Sequence, residues 1–302
     1  MTKKVLAVYF TQSGQLEDII DRFTAPLTGD NNVVTEKLRI YPEKDFPFPW
    51  TSPAFFDAMP ESVDGTPAPL KPFEHKEDRY DLIILGYQPW FLSPSIPVSS
   101  LLQHPGFLPL LKDTPVVTIS GCRNMWINAQ EKIKKRLKDA GARLVANVAL
   151  VDQHNNYASL VTILYWMMTG KKDRKWGIFP KPGVSDEDIA GAAVFGETVK
   201  RHLQEGDWET LQPQLAAQKA VNIKYPLMFI ERKAGKIFKI WSGIIHKKKN
   251  RKAWLVAFKY YLLIALCVAA PVILLVDGIF FKPFLGKRIK KQKAYYAGVE
   301  LK

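Results

Sequence analysis

Through the first half of the chain, short apolar runs alternate with amphipathic stretches. Residues 5–10 (VLAVYF) form an apolar run that ends in a polar, glycine-containing turn. Leu16, Ile19, Ile20 and Phe23 then recur at helical spacing, so the pattern predicts strand, loop and helix. Residues 33–40 alternate well enough for a second strand. Residues 80–86 (YDLIILG) and 115–120 (PVVTIS) are apolar on both faces, as buried parallel strands are. A helix is expected near 98–102, and an amphipathic basic helix over 128–140 closed by Gly141. Residues 143–151 supply a fifth strand. Strands alternating with helices at this spacing predict an α/β fold, a doubly wound parallel five-stranded sheet. The stretch 42–72 breaks the rhythm with prolines and the aromatics Phe46, Phe48, Trp50, Phe55 and Phe56. It is expected to be an ordered irregular excursion, not a helix, that either roofs an apolar pocket or packs on the domain edge.

Past residue 151 the pattern turns helical. Residues 159–168 are an apolar helix candidate, Ser185 can cap a helix running to about His202, and 208–220 reads as another short helix. Residues 227–245 mix Phe229, Ile230, Ile237, Phe238, Ile240 and Trp241 with Arg232, Lys233, Lys236 and Lys239, an amphipathic pattern suited to a lipid interface. A basic block follows at Lys247, Lys248, Lys249, Arg251 and Lys252. Residues 260–276 are then uncharged, with Trp254, Tyr260, Tyr261, Phe280 and Phe281 placed as interfacial aromatics. The far flank is basic too, at Lys287, Arg288, Lys290, Lys291 and Lys293. A single span and a re-entrant hairpin bent at Pro271 are both open on this pattern. The organisation expected is 1–155 as an α/β domain, 156–222 as a helical extension packing on it, and 223–302 as a basic, hydrophobic tail.

Charge sharpens this division. The net charge is +14, yet residues 221–302 hold 18 Lys/Arg against three Asp/Glu, while residues 1–220 hold 25 against 26. A near-neutral body with a strongly basic tail implies a polyanion partner for the tail alone. The apolar run between the basic clusters favours anionic membrane lipid over nucleic acid, and a cytoplasmic membrane location with the body on the cytoplasmic side is expected. The beginning of the chain runs directly into the first strand, so no signal peptide is expected. The cysteines, Cys122 and Cys267, form no metal-ligand spacing, and no metal site is expected.

The first turn, Tyr9 to Leu16 (YFTQSGQL), carries the sharpest chemistry. Hydroxyls at Thr11 and Ser13, then Gly14 at a helix N-terminus, would donate to a phosphate monoester; the alternative is a plain N-cap. Thr-x-Ser-Gly in this position resembles the FMN phosphate loop of flavodoxins, although Leu16 stands where that loop usually has a third hydroxyl. Residues 86–91 (GYQPWF) and 120–126 (SGCRNMW) resemble the two loops that flank the flavin ring in that family. The resemblance implies FMN as cofactor. It implies contacts from Thr11, Gln12, Ser13, Gly14, Gln15 and Leu16, from Gln88, Pro89, Trp90 and Phe91, and from Ser120, Gly121, Cys122, Arg123 and Asn124. Trp90 would stack on the ring or serve as a core tryptophan; Arg123 would bond a flavin carbonyl or make a surface ion pair. His154 would donate a proton or cap a loop.

The strings TQSGQ, FPFPW, YQPWFLSPSIP and GCRNMW are similar to a narrower group of bacterial flavodoxin-like proteins labelled dialkylresorcinol condensing enzymes, which are associated with aryl-lipid biosynthesis. Condensation by a ketosynthase needs an activated cysteine with His or Asn partners, and Cys122 in a flavin-type loop is no such group. The function expected is a membrane-attached FMN oxidoreductase that passes electrons to a lipid-soluble acceptor such as a quinone or aryl lipid. The alternative is a non-catalytic scaffold of a lipid-biosynthetic complex. A chain ending near residue 220 is expected to be soluble and to bind flavin.

Overall fold

The structure, a computed structural model, describes residues 2–301. Five parallel strands form the central sheet: β1 (Lys3–Tyr9), β2 (Val33–Arg39), β3 (Leu82–Tyr87), β4 (Pro115–Cys122) and β5 (Arg143–Val151). Their order is β2-β1-β3-β4-β5, the flavodoxin-like doubly wound arrangement. Alternate side chains of β1 point to opposite faces. Val5 and Ala7 join one core with the first helix, α1 (Gln15–Thr28), while Leu6 and Val8 join the other. Burial on both faces is why these strands read as continuous apolar runs.

Within the proline-rich excursion the structure corrects the expectation of irregular chain. It folds two short helices, α2 (Ser52–Asp57) and α3 (Met59–Asp64). Pro53 and Pro60 fall in their first turns, where a missing N–H costs nothing, and Thr51 Oγ1 accepts the Ala54 N–H at 3.4 Å. Further along come α4 (Ile96–Leu101), α5 (Leu108–Leu111), α6 (Ile127–Asp139) and α7 (Asn156–Thr169). Helix α8 (Asp186–Glu205) is capped by Ser185, whose hydroxyl accepts the Asp188 N–H at 3.0 Å, and α9 (Leu211–Ala217) follows. Helix α8 lies directly on α1. At Gly196 an added Cβ would sit 1.9 Å from the Phe23 carbonyl oxygen, so the two backbones meet there.

The basic amphipathic stretch forms α10 (Tyr225–Lys247), and one side of it, with Tyr225, Met228, Phe238 and Ile245, is covered by protein, while Ile237 and Ile240 stay exposed. Met228 and Tyr225 pack with Trp126, Ile127 and Val151; Phe238 and Ile245 pack with Met59 and Val63. Lys239 bridges Asp64 at 2.7 Å, and Ser242 Oγ donates to the same carboxylate at 2.7 Å. Burial pushes the Asp64 carboxyl up, but the hydrogen bonds from Lys239 and Ser242 outweigh it and hold its pKa below the ordinary value. Residues 225–247 therefore pack on the body and contribute to its core.

A continuous helix then runs from Arg251 to Phe284, long and apolar enough to cross a membrane by length and composition, with a mean hydropathy of 2.6 in its most apolar window. It comprises α11 (Arg251–Ile264), a π-helical turn (Ala265–Ala269), α12 (Ala270–Val276), a second π-helical turn (Asp277–Phe281) and a final 3-10 turn. Pro271 does not fold the segment back, which corrects the re-entrant alternative. The π-helical turn just before it shifts the hydrogen-bond register where the proline lacks a donor. The last helix, α13 (Gly286–Ala297), returns to the body: Tyr295 Oη donates to Glu131 at 2.6 Å, and Tyr296 and Ile289 pack against the cluster around Trp126.

Candidate functional site

A cavity of about 320 Å³ lies at the carboxyl ends of β1, β3 and β4, where open α/β sheets bind ligands. Its volume is at the lower end of the roughly 300–1,000 Å³ typical of small-molecule pockets. Roomier grooves of about 540, 580 and 660 Å³ lie elsewhere on the surface, but none gathers residues from three strand ends. Gln12, Ser13 and Gln15 enter this cavity from the first loop. Gln88, Pro89, Trp90 and Phe91 enter from the loop after β3, and Gly121, Cys122 and Arg123 from the end of β4.

Backbone geometry sets the first loop. Gly14 has φ +88°, a left-handed conformation that a side chain resists, and its N–H donates to Thr11 Oγ1 at 3.1 Å. Thr11 is thus buried as a loop brace. Leu16 is also outside the cavity, in the core beneath it with Ile19 and Ile20. Gln12 spans two loops: its backbone N–H donates to Gln88 Oε1 at 2.9 Å, and its Nε2 donates to the Phe46 and Pro47 carbonyls at 3.0 Å. Gln12 Oε1 is buried with no partner among the described residues. Gln15 clasps Val184 in both directions, at 3.1 and 3.0 Å, so the segment at Gly183 closes over the first turn of α1.

Residues 89–94 make a two-stranded hairpin, Pro89–Trp90 against Ser93–Pro94. Its tip residues Phe91 and Leu92 have φ of 47° and 60°, strained for bulky side chains. Packing repays that strain: Phe91 lies 4.7 Å from Phe55 and 6.4 Å from Phe258 between ring centres. Trp90 meets Phe10, Phe46 and Trp50 edge-on at 5.8, 5.0 and 5.3 Å. The proline-aromatic stretch therefore lines the cavity through Phe48, Trp50, Phe55 and Phe56, and the Trp50 N–H bonds the Met167 carbonyl at 2.7 Å to hold it against α7.

The end of β4 is strand where a loop was expected, because Gly121 and Cys122 still pair with Leu150 and Val151. Ser120 is consequently buried inside the sheet and takes no part in the lining. Asn124 also faces away; its Nδ2 donates to Asn156 Oδ1 at 2.7 Å, and it borders a separate small hollow beside Trp126. Arg123 bonds the Asn156 carbonyl at 3.0 Å, and burial lowers its guanidinium pKa. Its Nε is buried with no partner among the described residues. Burial, then the charge of Glu231, pushes the Cys122 thiol well above its ordinary pKa, so it is no thiolate nucleophile. His154 is not at the cavity. Its Nδ1 is 2.7 Å from the buried Asp152, which also accepts the Ser159 hydroxyl at 2.7 Å, so it serves the loop before α7.

The remaining wall comes from two helices that the motifs did not mark. Helix α7 supplies Leu160, Ile163, Leu164, Trp166 and Met167; α11 and the turn after it supply Lys259, Leu262, Leu263 and Leu266. A signal existed for α7: it is apolar around most of its circumference, so it has to cover more than one surface.

Behind Cys122, Glu231 of α10 accepts the Asn128 N–H at 2.7 Å, and Asn128 Nδ2 returns a bond to the Glu231 carbonyl at 2.7 Å. Burial raises the Glu231 pKa from 4.5 to about 7. The folded chain therefore holds an extra proton between pH 4.5 and 7, so this group's stabilisation is full below 4.5 and is lost as pH rises through 7. The swing is about 3 kcal/mol. Glu231→Gln keeps an accepting oxygen and cannot ionise. Its thermal midpoint in detergent is expected to vary less than the parent's between pH 5 and 8; parallel profiles would remove Glu231 from the account.

No protein-family model matches this sequence, and no curated protein matches it. The chain is similar to solved flavoproteins at low identity. A flavoprotein from Lactobacillus acidophilus NCFM, solved in complex with FMN, is 14% identical over 49% of this chain and 93% of its own, with a TM-score of 0.39. A flavodoxin from the domain Archaea is 10% identical over 67% of this chain and 99% of its own, with a TM-score of 0.37. A flavone reductase is 10% identical over 67% of this chain and 63% of its own, also with a TM-score of 0.37.

Proposed function

We propose that this protein is a membrane-attached FMN oxidoreductase that passes electrons to a lipid-soluble acceptor of quinone or aryl-lipid type, within aryl-lipid biosynthesis, at the cytoplasmic membrane face. The observation that carries the reading is the cavity itself: three strand-end loops build its polar side, and an exposed apolar helix closes it. Ser13 and the first N–H groups of α1 suit a phosphate monoester, since those groups lack acceptors within the helix. Gln12 Oε1 and Arg123 Nε, buried and unpartnered among the described residues, suit a heterocycle that offers both a donor and an acceptor. Trp90 and Phe91 would border the ring. When bound, FMN supplies the redox chemistry, and the protein orients it and keeps water away. Leu263 and Leu164 line the cavity yet are 44% and 37% exposed, so its wall continues onto the outer apolar surface, as entry of a lipid-soluble acceptor requires. Basic, aromatic chain at Lys171, Lys172, Arg174, Lys175 and the exposed Trp176 suits anionic lipid as well.

A second reading has one specific observation in its favour. The Gln15–Val184 clasp and Leu16 leave the first turn of α1 more closed than a phosphate loop need be, which suits a scaffold without flavin. Titration of the flavin-free full-length protein in detergent separates the two. FMN is expected to bind more tightly than FAD, because the loop offers one monoester site and no dinucleotide fingerprint. Ser13→Ala should weaken FMN by roughly ten- to a hundredfold with an unchanged thermal midpoint, the worth of a charge-assisted hydrogen bond. Binding of neither flavin would overturn the oxidoreductase reading.

A further inference from the structure

We infer that the long apolar helix lies in the plane of one leaflet of an anionic bilayer and does not cross it. This builds on the membrane attachment proposed above and fixes its geometry. Both ends of the helix are tied to the same folded body. At its start, Arg251 bonds Asp57 at 2.8 Å and Glu61 at 2.7 Å. Near its end, Asp277 is buried and accepts the Tyr225 hydroxyl of α10 at 3.2 Å. Beyond it, α13 is held through Tyr295 to Glu131, Gln212 Nε2 bonds the Ala297 carbonyl at 2.6 Å, and Lys134 Nζ bonds the Glu300 carbonyl at 3.2 Å. A helix of 34 residues is about 50 Å long, well beyond a hydrocarbon core of about 30 Å. Crossing would carry one of these tethered ends to the far side.

Burial along the helix follows the same plan. Leu262, Leu266, Ala270, Leu274 and Asp277 recur at helical spacing as its covered or half-covered side. The opposite side exposes Ile264, Val268, Val272, Leu275 and Ile279, at 61%, 57%, 55%, 63% and 57%. Apolar side chains in an unbroken row are too large a patch to leave in water. The occupant is lipid because basic clusters bracket the row on the same body, at Lys247 to Lys252 and at Lys287 to Lys293, where anionic headgroups would meet both. A spanning helix would place one of those clusters outside, against the positive-inside rule; an in-plane helix keeps both on one side. The placement also sets Leu263 and Leu266, and with them the cavity wall, at the level of the acyl chains.

The test uses the full-length chain with Cys267→Ala, carrying Lys248→Cys or Lys291→Cys, bound to sealed vesicles of phosphatidylcholine and phosphatidylglycerol; Cys267→Ala alone sets the background from Cys122. A membrane-impermeant maleimide is added outside, before and after permeabilisation. Both positions are expected to react equally and fully without permeabilisation, on protein that floats with the vesicles. Protection of one position until the vesicles are opened, in floating protein, overturns the in-plane placement and leaves membrane attachment standing. Failure to float, or a dimer that hides the row, overturns both.

Discussion

Concentrated salt leaves the full-length protein on anionic vesicles, and only detergent releases it. That is the expected result because two forces hold it and salt weakens one. The lysines contribute about 1 kcal/mol each near an anionic surface, and this falls with ionic strength. The exposed row on the long helix contributes through burial, about 1.5–3 kcal/mol for each large apolar side chain fully withdrawn from water, and salt does not reverse it. Val272 and Leu275 are 55% and 63% exposed, so arginine at both leaves the fold untouched. Val272→Arg with Leu275→Arg should lower vesicle partitioning by roughly thirtyfold or more, from a loss of about 2–4 kcal/mol for the exposed part of the two side chains, and move the protein into the salt wash. Sedimentation with vesicles measures both. Release of the parent chain by salt alone would show that the apolar row is covered by protein.

Two glycines on α8 should respond in opposite directions to the same substitution. Among the described residues nothing lies within 4 Å of a Cβ added at Gly191, so Gly191→Ala should stabilise by about 0.5–1 kcal/mol through helix propensity. Gly196 would drive its Cβ to 1.9 Å from the Phe23 carbonyl oxygen. That neighbour is main chain and cannot rotate away, so α8 must lift from α1, uncovering Phe195, Val199 and Leu203 on the core cluster of that face. Gly196→Ala should cost about 3 kcal/mol or more, at the upper end of overpacking effects. Thermal unfolding of the detergent-solubilised full-length chain, followed by circular dichroism, gives both shifts. Equal midpoints for the two variants would mean that α8 does not rest on α1 at Gly196.

The pattern of apolar positions was enough to read the sheet. Val5 to Val8 and Leu82 to Leu85 are apolar at every position because both faces of the strands are covered, and that burial is a local property of the run. Ser185 and Gly14 were legible for the same reason: a cap or a left-handed turn is set by the residue that occupies it. Local pattern also gathered most of the cavity's polar side, since Gln12, Ser13, Gln88 and Arg123 follow strands directly. It misplaced Ser120, because where β4 stops depends on how far β5 continues alongside it. It gave α2 and α3 no helix, since the prolines that usually break a helix here begin one.

What the sequence by itself determined is the order and type of the main elements, the division of charge between body and tail, and the presence of an uncharged apolar stretch near the end. Which surfaces those elements cover was decided only in three dimensions. The apolar stripe of α10 fits lipid or protein equally well as a pattern; Trp126, Met59 and Val63, distant in sequence, cover one side of it, while Ile237 and Ile240 stay exposed. The long helix reads as a span from hydropathy alone, because hydropathy records the solvent a segment prefers and not where its two ends are fastened. Arg251 on Asp57 and Glu61, and Tyr295 on Glu131, fasten both ends to one body, and those contacts exist only once the chain has folded.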